Sequence, residues 1–426
     1  MKQEIEYELA RNISRLGHLD IAGGGQVVVQ GNYAYVGHMK PPMGTSIIDV
    51  SDPASPRVTA HVPPPDEYSH THKVRVVGDI MITNVEQDRR HFLRKGEKIA
   101  GLRDQLGSRA TDAEIAEALG VKESDIPDLE AALARGYDGG GFRVWDISDK
   151  TAPKELAYVR THGFGVHRFD MDEKYAYIST EMEGYVGNIL VVYDLADPSS
   201  PTEVNRWHMP GQHLAGGETP AWEGYGVRLH HAMRCGDELW AAVWHAGYRV
   251  LDASDLGSGT MPVVKGSYVY PEAIPEPTHT VMPLENLIDG RRYAIAIDEE
   301  HDHKPGQLHG FIWIMDVTDL ENMEPVAAWD LTERACPYIG QPGARFGGHQ
   351  FREKLDSTLV YATWFAGGLR VLDVADPKLP VEVAWYTPPV GSDGTPPQSN
   401  DVDVGENGLI YLLDRNNGLE ILEMTL

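Results

Sequence analysis

The sequence predicts an all-β chain built from a repeated four-strand unit, and three observations lead there. An apolar run closing on aspartate recurs as IIDVSDP (residues 47–53), VWDISD (144–149), VYDLADP (192–198), VLDASD (250–255), IMDVTD (314–319) and VLDVADP (371–377), with a degenerate ILEMTL at the end of the sequence. Runs of β-branched and aromatic residues broken by Gly-Asn or Gly-Asp, as in VVVQGNYAYVGH, have the punctuation of short antiparallel strands. One such unit cannot bury both of its faces, so copies must stack. Seven copies of four strands give a seven-bladed β-propeller spanning residues 1–426 as one domain.

Each copy reads as strand A, tight turn, strand B, loop, strand C, Asp-rich turn and strand D. The Asp-rich turn has a local cause: aspartate side chains accept bonds from turn amides, and proline stops the ladder. Asp49, Asp146, Asp194, Asp252, Asp316 and Asp373 are therefore expected to be structural. The last copy stops at its Asp-turn position, Glu423, and lacks strand D. Residues 12–21, NISRLGHLDI, have the look of that missing strand. An N-terminal strand closing the last blade would remove an exposed edge. Within the second copy, residues 87–141 are charged, Ala/Leu-rich and helical in pattern. Thr111 and Glu114 form a capping box ahead of AEIAEALG, and DLEAALARG repeats the helical spacing. This insertion in blade 2 is expected to act as a lid or a homo-oligomer contact.

The formal charge of −27 over 426 residues opposes nucleic acid and anionic membranes as partners. TDAEIAEALGVKESDI resembles a helix-turn-helix module, but DNA reading needs a basic surface that this chain lacks. Cys235 and Cys336 supply no disulfide framework. The opening residues have no apolar targeting core, and no segment is long and apolar enough to span a bilayer, so a soluble cytoplasmic protein is expected. GGGQ at residues 23–26 precedes a strand and makes a poor phosphate cradle.

Aligning the copies on their A–B turns yields a column at the start of strand A: Gly25, His72, His167, His231, His279, His349 and Asp401. In a propeller, strand A lines the central channel, so five of the chain's 18 histidines fall in equivalent slots at one mouth. A second column, where strand B ends, reads Met39, Glu86, Glu181, His245, Glu299, Phe365 and Arg415. A carboxylate taking the proton of a ligating imidazole fixes its tautomer. The expected metal ligands are thus His72, His167, His231, His279 and His349. Glu86, Glu181, Glu299, His245 and Asp401 are the candidate catalytic groups beside them. His38, His70, His230, His301, His303 and His309 are accessory. Imidazole-rich ligation suits Fe, Zn, Cu or Ni, with Mn also open, and leaves geometry to decide among them. Long Gly/Pro-rich D–A loops cluster at the same mouth, where Trp222, Tyr225, Tyr338, Trp244, Trp364 and Phe365 are candidates for apolar walls.

The runs LRVLDVADP and TSIIDVSDP resemble the LVIVD-repeat propellers, a likeness that covers almost the whole chain and implies the fold rather than an activity. WFAGGLRVLDVADP and WHAGYRVLDASD are more weakly similar to the selenium-binding-protein and methanethiol-oxidase propellers, which implies a histidine-held metal; the cysteine motifs of those proteins are missing here. Histidines from separate blades backed by glutamates also resemble, in architecture alone, the Fe(II) site of carotenoid and stilbene cleavage oxygenases. The expected function is a non-haem iron oxidoreductase or oxygenase acting on a small organic substrate. The alternatives are a metal-assisted hydrolase or lyase, a copper-dependent thiol oxidase, and a non-enzymatic protein-interaction propeller.

Overall fold

The computed structural model describes residues 8–426 apart from Ala22, Ser108, Arg109, Glu272, Pro275, Glu276, Asp302, His303, Lys304, Pro305 and Ser392. It is all-β outside one helical insertion and a few short 3₁₀ turns. The first meander runs Gly24–Gln30, Tyr33–His38, Thr45–Asp49 and Arg57–Val62. The second is Val74–Val77, Ile80–Gln87, Gly141–Asp146 and Lys154–Arg160. The third is His162–Met171, Tyr175–Glu181, Ile189–Asp194 and Thr202–Trp207. His231–Cys235, Glu238–Ala242, Tyr248–Asp252 and Val264–Tyr268 form the fourth, and Thr278–Pro283, Tyr293–Asp298, Ile312–Asp316 and Glu324–Trp329 the fifth. The sixth is Phe346–Phe351, Leu359–Phe365, Leu369–Asp373 and Val381–Tyr386. The last combines Ser399–Val404, Ile410–Asp414 and Gly418–Met424 with the N-terminal strand Ile13–Leu19, as expected from the sequence.

The opening strands of successive meanders pack side by side, and that of the last meander returns to that of the first. Both faces of each sheet are covered by neighbours, which is why Ile189–Tyr193 is a continuous apolar run, buried throughout. Phe142 and Val144 of the second meander, for example, share one core with Phe169, Ile178 and Val191 of the third. Each of the repeated aspartates accepts a turn amide two residues on: Asp49 from Ser51, Asp146 from Ser148, Asp194 from Ala196, Asp252 from Ser254, Asp316 from Thr318 and Asp373 from Ala375. Their work is the turn.

Polar side chains cross the joints between meanders. Gln26 Oε1 accepts the Val74 amide, Asn84 donates to Val166 O, Ser179 donates to Leu229 O, and Thr280 donates to Gln350 Oε1. At the closing joint Asp401 and Asp403 accept the amides of Val27 and Val29 at 3.1 and 2.8 Å. Asp401 is buried there, and burial raises its carboxyl pKa. It is a clasp between the first and last meanders rather than the ligand or base expected from its column.

Helices Arg90–Leu93, Ile99–Leu106, Asp112–Leu119 and Ile126–Arg135 form the insertion, with a small core of Ile99, Ile115, Leu119, Ile126 and Leu129. The Thr111–Glu114 capping box is present. Among the described residues no helix is long and apolar enough to cross a membrane.

Replacing Asp401 with alanine leaves the buried Val27 amide without its acceptor. Chemical denaturation is expected to show a loss of about 1–3 kcal/mol. Asp401→Asn, which keeps an acceptor oxygen, is expected to lose much less.

Candidate metal centre

The expected column becomes a ring through β-bulges. Near the start of the opening strand the ladder skips Gly25 in the first meander and His279 in the fifth, and in the third it skips residues 163–165 and then His167. A bulge re-aims the extra side chain, here toward the channel. The last meander skips Asn400, not Asp401. In the fourth, His231 is paired within the ladder and His230 stands just outside it, donating its amide to Ala242 O.

Imidazoles follow one another around the mouth. Ring centroids are 4.3 Å apart for His70–His72, 5.3 Å for His72–His167, 5.0 Å for His167–His230, 4.2 Å for His230–His279 and 4.5 Å for His279–His349. They share a cavity of about 790 Å³ with Glu86, Glu299 and His301. Arg89–Phe92, at the root of the insertion, line the same cavity.

The hydrogen bonds decide which nitrogens carry protons. A main-chain carbonyl only accepts, so a ring nitrogen bonded to one must be N–H. His70 Nδ1 donates to Met39 O at 2.9 Å, His230 Nδ1 to His279 O at 2.7 Å, and His349 Nδ1 to Asn400 O. His167 Nδ1 lies 3.1 Å from the carboxylate oxygen Glu86 Oε2 and donates to it. His279 Nδ1 bonds Thr280 Oγ1 at 3.0 Å; that hydroxyl spends its proton on Gln350 Oε1, whose amide in turn donates to Glu353. His167, His230, His279 and His349 therefore turn Nε2 lone pairs inward. His72 is the exception. Asn84 Nδ2 meets its Nδ1 at 3.1 Å, and the amide is oriented by the Lys73 amide and Val166 O, so His72 carries its proton on Nε2.

Two of those lone pairs face each other: His167 Nε2 and His230 Nε2 are 3.2 Å apart. Neutral acceptors at that distance repel unless a cation lies between them. A proton there would make one ring imidazolium. Burial opposes that for both, followed by Arg90 for His167 and Arg168 for His230, holding both well below the ordinary imidazole pKa. Two nitrogens bound to one ion at about 2.1 Å sit roughly 3.0–3.4 Å apart across octahedral to tetrahedral angles, which the observed spacing matches. His70 Nε2, 3.0 Å from Glu86 Oε2, donates to that carboxylate.

Two groups of ligand atoms lie within 4.8 Å of one another, His70/His72/Glu86 and His230/His279/Glu299. Glu299 is 3.9 Å from both His279 Nε2 and His349 Nε2 and is paired with Arg345 at 3.1 Å. Burial pushes its pKa up, but His301, Arg345 and His349 outweigh that and hold it well below the usual carboxylate range. Glu86 is paired with Arg90 of the insertion at 2.8 Å.

The LVIVD repeat matches residues 24–62 and 170–208. The first stretch coincides with the whole first meander. The chain carries LVIVD repeats. The match gives no support to the selenium-binding likeness, and no curated protein matches the chain. Among solved structures, the RRP9 WD40 repeats are similar at 11% identity and a TM-score of 0.55, with 99% of this chain and 100% of that one covered. The U3-55K structure is similar at 12% identity and a TM-score of 0.54, covering 97% and 98%. A protein from Lactobacillus plantarum is similar at 13% identity and 0.54, covering 95% and 91%. At these identities the likeness shows the fold alone, a β-propeller.

Of the sequence-predicted residues, His72, His167, His279, His349, Glu86 and Glu299 meet at the ring. His231 does not: its Nδ1 accepts from Arg168 Nε at 3.2 Å below the ring, and His230 holds the inward place. Glu181 lies outside, holding Arg94 of the insertion and the Phe164 amide. His245 is exposed beside Trp244, which lines the cavity in its stead with φ 54°. Of the other proposed walls, Trp364 and Tyr338 belong to the hydrophobic core. His38 is bonded to Ser46 and His309 to Glu333, both away from the ring; His303 is outside the described residues. His70 and His230 are the ring members that counting along strands missed. The paired motifs SHTH and LHH were the available signal.

Burial holds His72, His167, His230, His279 and His349 well below the ordinary 6.5. In the unfolded chain the same rings protonate near 6.5, so below that pH the unfolded state binds more protons. Stability of the chelator-treated protein is therefore expected to be full above pH 6.5 and to fall progressively as the pH drops from there. The limiting slope is about 1.4 kcal/mol per pH unit for each ring. Unfolding midpoints measured between pH 7.5 and 5.5 check this, and a flat profile would contradict it.

Proposed function

We propose that the meanders are the seven blades of a closed propeller and that its His-rich mouth is a divalent transition-metal centre of an oxidoreductase acting on a small organic substrate. The observation that carries this reading is the 3.2 Å approach of two inward lone pairs, His167 Nε2 and His230 Nε2. His230, His279 and Glu299 form a two-histidine, one-carboxylate set, the ligand type associated with non-haem Fe(II) oxygenases. Neither thiol is at hand to favour a softer site: Cys336 is in the core, and Cys235 closes a strand of the fourth meander. Bound iron would supply redox chemistry at an open coordination position. The protein's own residues do the rest. Carbonyls and Thr280 hold the ring tautomers, the root of the insertion roofs the cavity, and His72 offers an Nε2 proton toward Glu86, 3.9 Å away.

Hydrolysis is the second reading: a second group, His70/His72/Glu86, lies beside His230/His279/Glu299, and a second ion there would have to displace the Nε2 proton of His72. With Asp401 engaged at the closing joint, a glutamate is left as the base of that reading.

Elemental analysis of protein purified without a histidine tag, with oxygen uptake by the iron-loaded form, tests both. His230→Ala is expected to lower metal retention by about tenfold or more, whereas His231→Ala leaves it unchanged. Equal retention in the two variants would remove the metal reading and leave a binding propeller. Two ions per chain without oxygen uptake would favour hydrolysis.

A further inference from the structure

The molecule is strongly acidic, yet this cavity is not. Among the described residues, seven lysines and arginines line it against three carboxylates, Glu86, Asp88 and Glu299. Several of the cations are accounted for. Arg90 is paired with Glu86, Arg345 with Glu299, and Arg168 with Glu353 below the ring. Lys73 is buried and donates to Gly25 O at 3.1 Å.

Arg415 is different. Its Nε donates to Asn400 Oδ1 at 2.6 Å, and its guanidinium lies 5.5 Å from the Phe365 ring, which Arg345 also covers at 3.9 Å. Among the described residues it has no ion pair, and its terminal amino groups have no hydrogen-bond partner. Burial, then the neighbouring Arg345, pushes its pKa down to about 10, so the charge is held against its surroundings. Across the mouth, Arg228 repeats the pattern. It lies 4.2 Å over the Trp244 ring and bonds only the Tyr225 carbonyl among the described residues. Both residues are half-buried, and a partly desolvated guanidinium with an unpaired fork favours an anionic partner. Arg415 on the cavity wall, in a chain of formal charge −27, makes sense where an anion completes the site.

We infer that the substrate is a small organic carboxylate, its carboxyl group gripped by the free fork of Arg415 beside His349 and its apolar body resting on Met39, Met43, Phe92 and Trp244. This rests on the reading of the ring as a metal centre for its catalytic meaning, though not for the binding itself. A planar guanidinium with two unused amino groups matches a carboxylate's two oxygens, and the volume of about 790 Å³ is that of a small-molecule pocket. The anchor also keeps the carboxylate from being a free competitor for the ring: bound at Arg415, it presents the remainder of the molecule to the histidines.

Calorimetric titration with benzoate and with its neutral isostere benzamide tests this on the purified full-length protein, with metal content measured on every sample. The wild type is expected to bind benzoate about tenfold or more tighter than benzamide. Arg415→Gln is expected to abolish that preference and Arg415→Lys to keep part of it, with metal content the same in all three. The inference is overturned if the wild type shows no preference for benzoate, or if the preference survives in Arg415→Gln. Should Arg415→Gln fail to fold, the wild-type preference and its reduction in Arg415→Lys carry the decision, and either one absent overturns it. An Arg415-dependent preference in protein that retains no metal supports the inference and sinks the metal reading. Retained metal with no such preference does the reverse.

Discussion

A single kind of bond does two jobs at the mouth of this propeller: the N–H of an imidazole donates to a main-chain carbonyl of the following meander. His230 reaches His279 O, and His349 reaches Asn400 O. The bond ties one opening strand to the next, and by fixing the proton on Nδ1 it commits the opposite nitrogen to face the channel as a bare acceptor. Architecture and coordination chemistry are thereby set by the same atoms. Thr280 extends the logic downward. Its hydroxyl links His279 through Gln350 to Glu353, which also holds Arg75 and Arg168 beneath the ring. The ring stands on a floor of paired charges, which limits the freedom of its members to turn away from one another.

How far the sequence could be read follows from where local rules hold. The Asp-turns, the capping box of the insertion and the N-terminal strand that completes the last meander were legible because each rests on chemistry within a few residues. Aligning the copies on their A–B turns also placed His72, His167, His279 and His349 at the ring. It failed at His231, Asp401 and His245, and the cause is shared. A count from the turn finds the channel-facing slot only where each copy leaves its ladder at the same residue, and the copies differ there. His230 stands outside the ladder, Asn400 is the bulged residue, and Trp244 takes a positive φ. The irregularity that defeats the count is also what points the side chain inward.

The remaining omissions are long-range. His70 belongs to a two-residue strand that precedes the second meander proper and pairs with the end of Ile80–Gln87. Arg90 comes from a helix whose docking no periodicity reports. Glu181 has the right register but meets Arg94 of the insertion before it can meet a histidine. Charge followed the same pattern. The overall acidity of the chain described its surface well and said nothing of the cationic cavity within.

The insertion is anchored through two glutamates of the β framework, Glu86 to Arg90 and Glu181 to Arg94, and the first of these is also a candidate ligand. If a cation occupies the ring, its binding and the seating of the helices would be thermodynamically linked, and linkage is reciprocal. Whatever draws Glu86 toward a cation changes its grip on the roof, and whatever lifts the roof alters the field at the ring. The helices would then serve as more than a passive cover, acting as a reporter that senses from outside whether the centre beneath is charged.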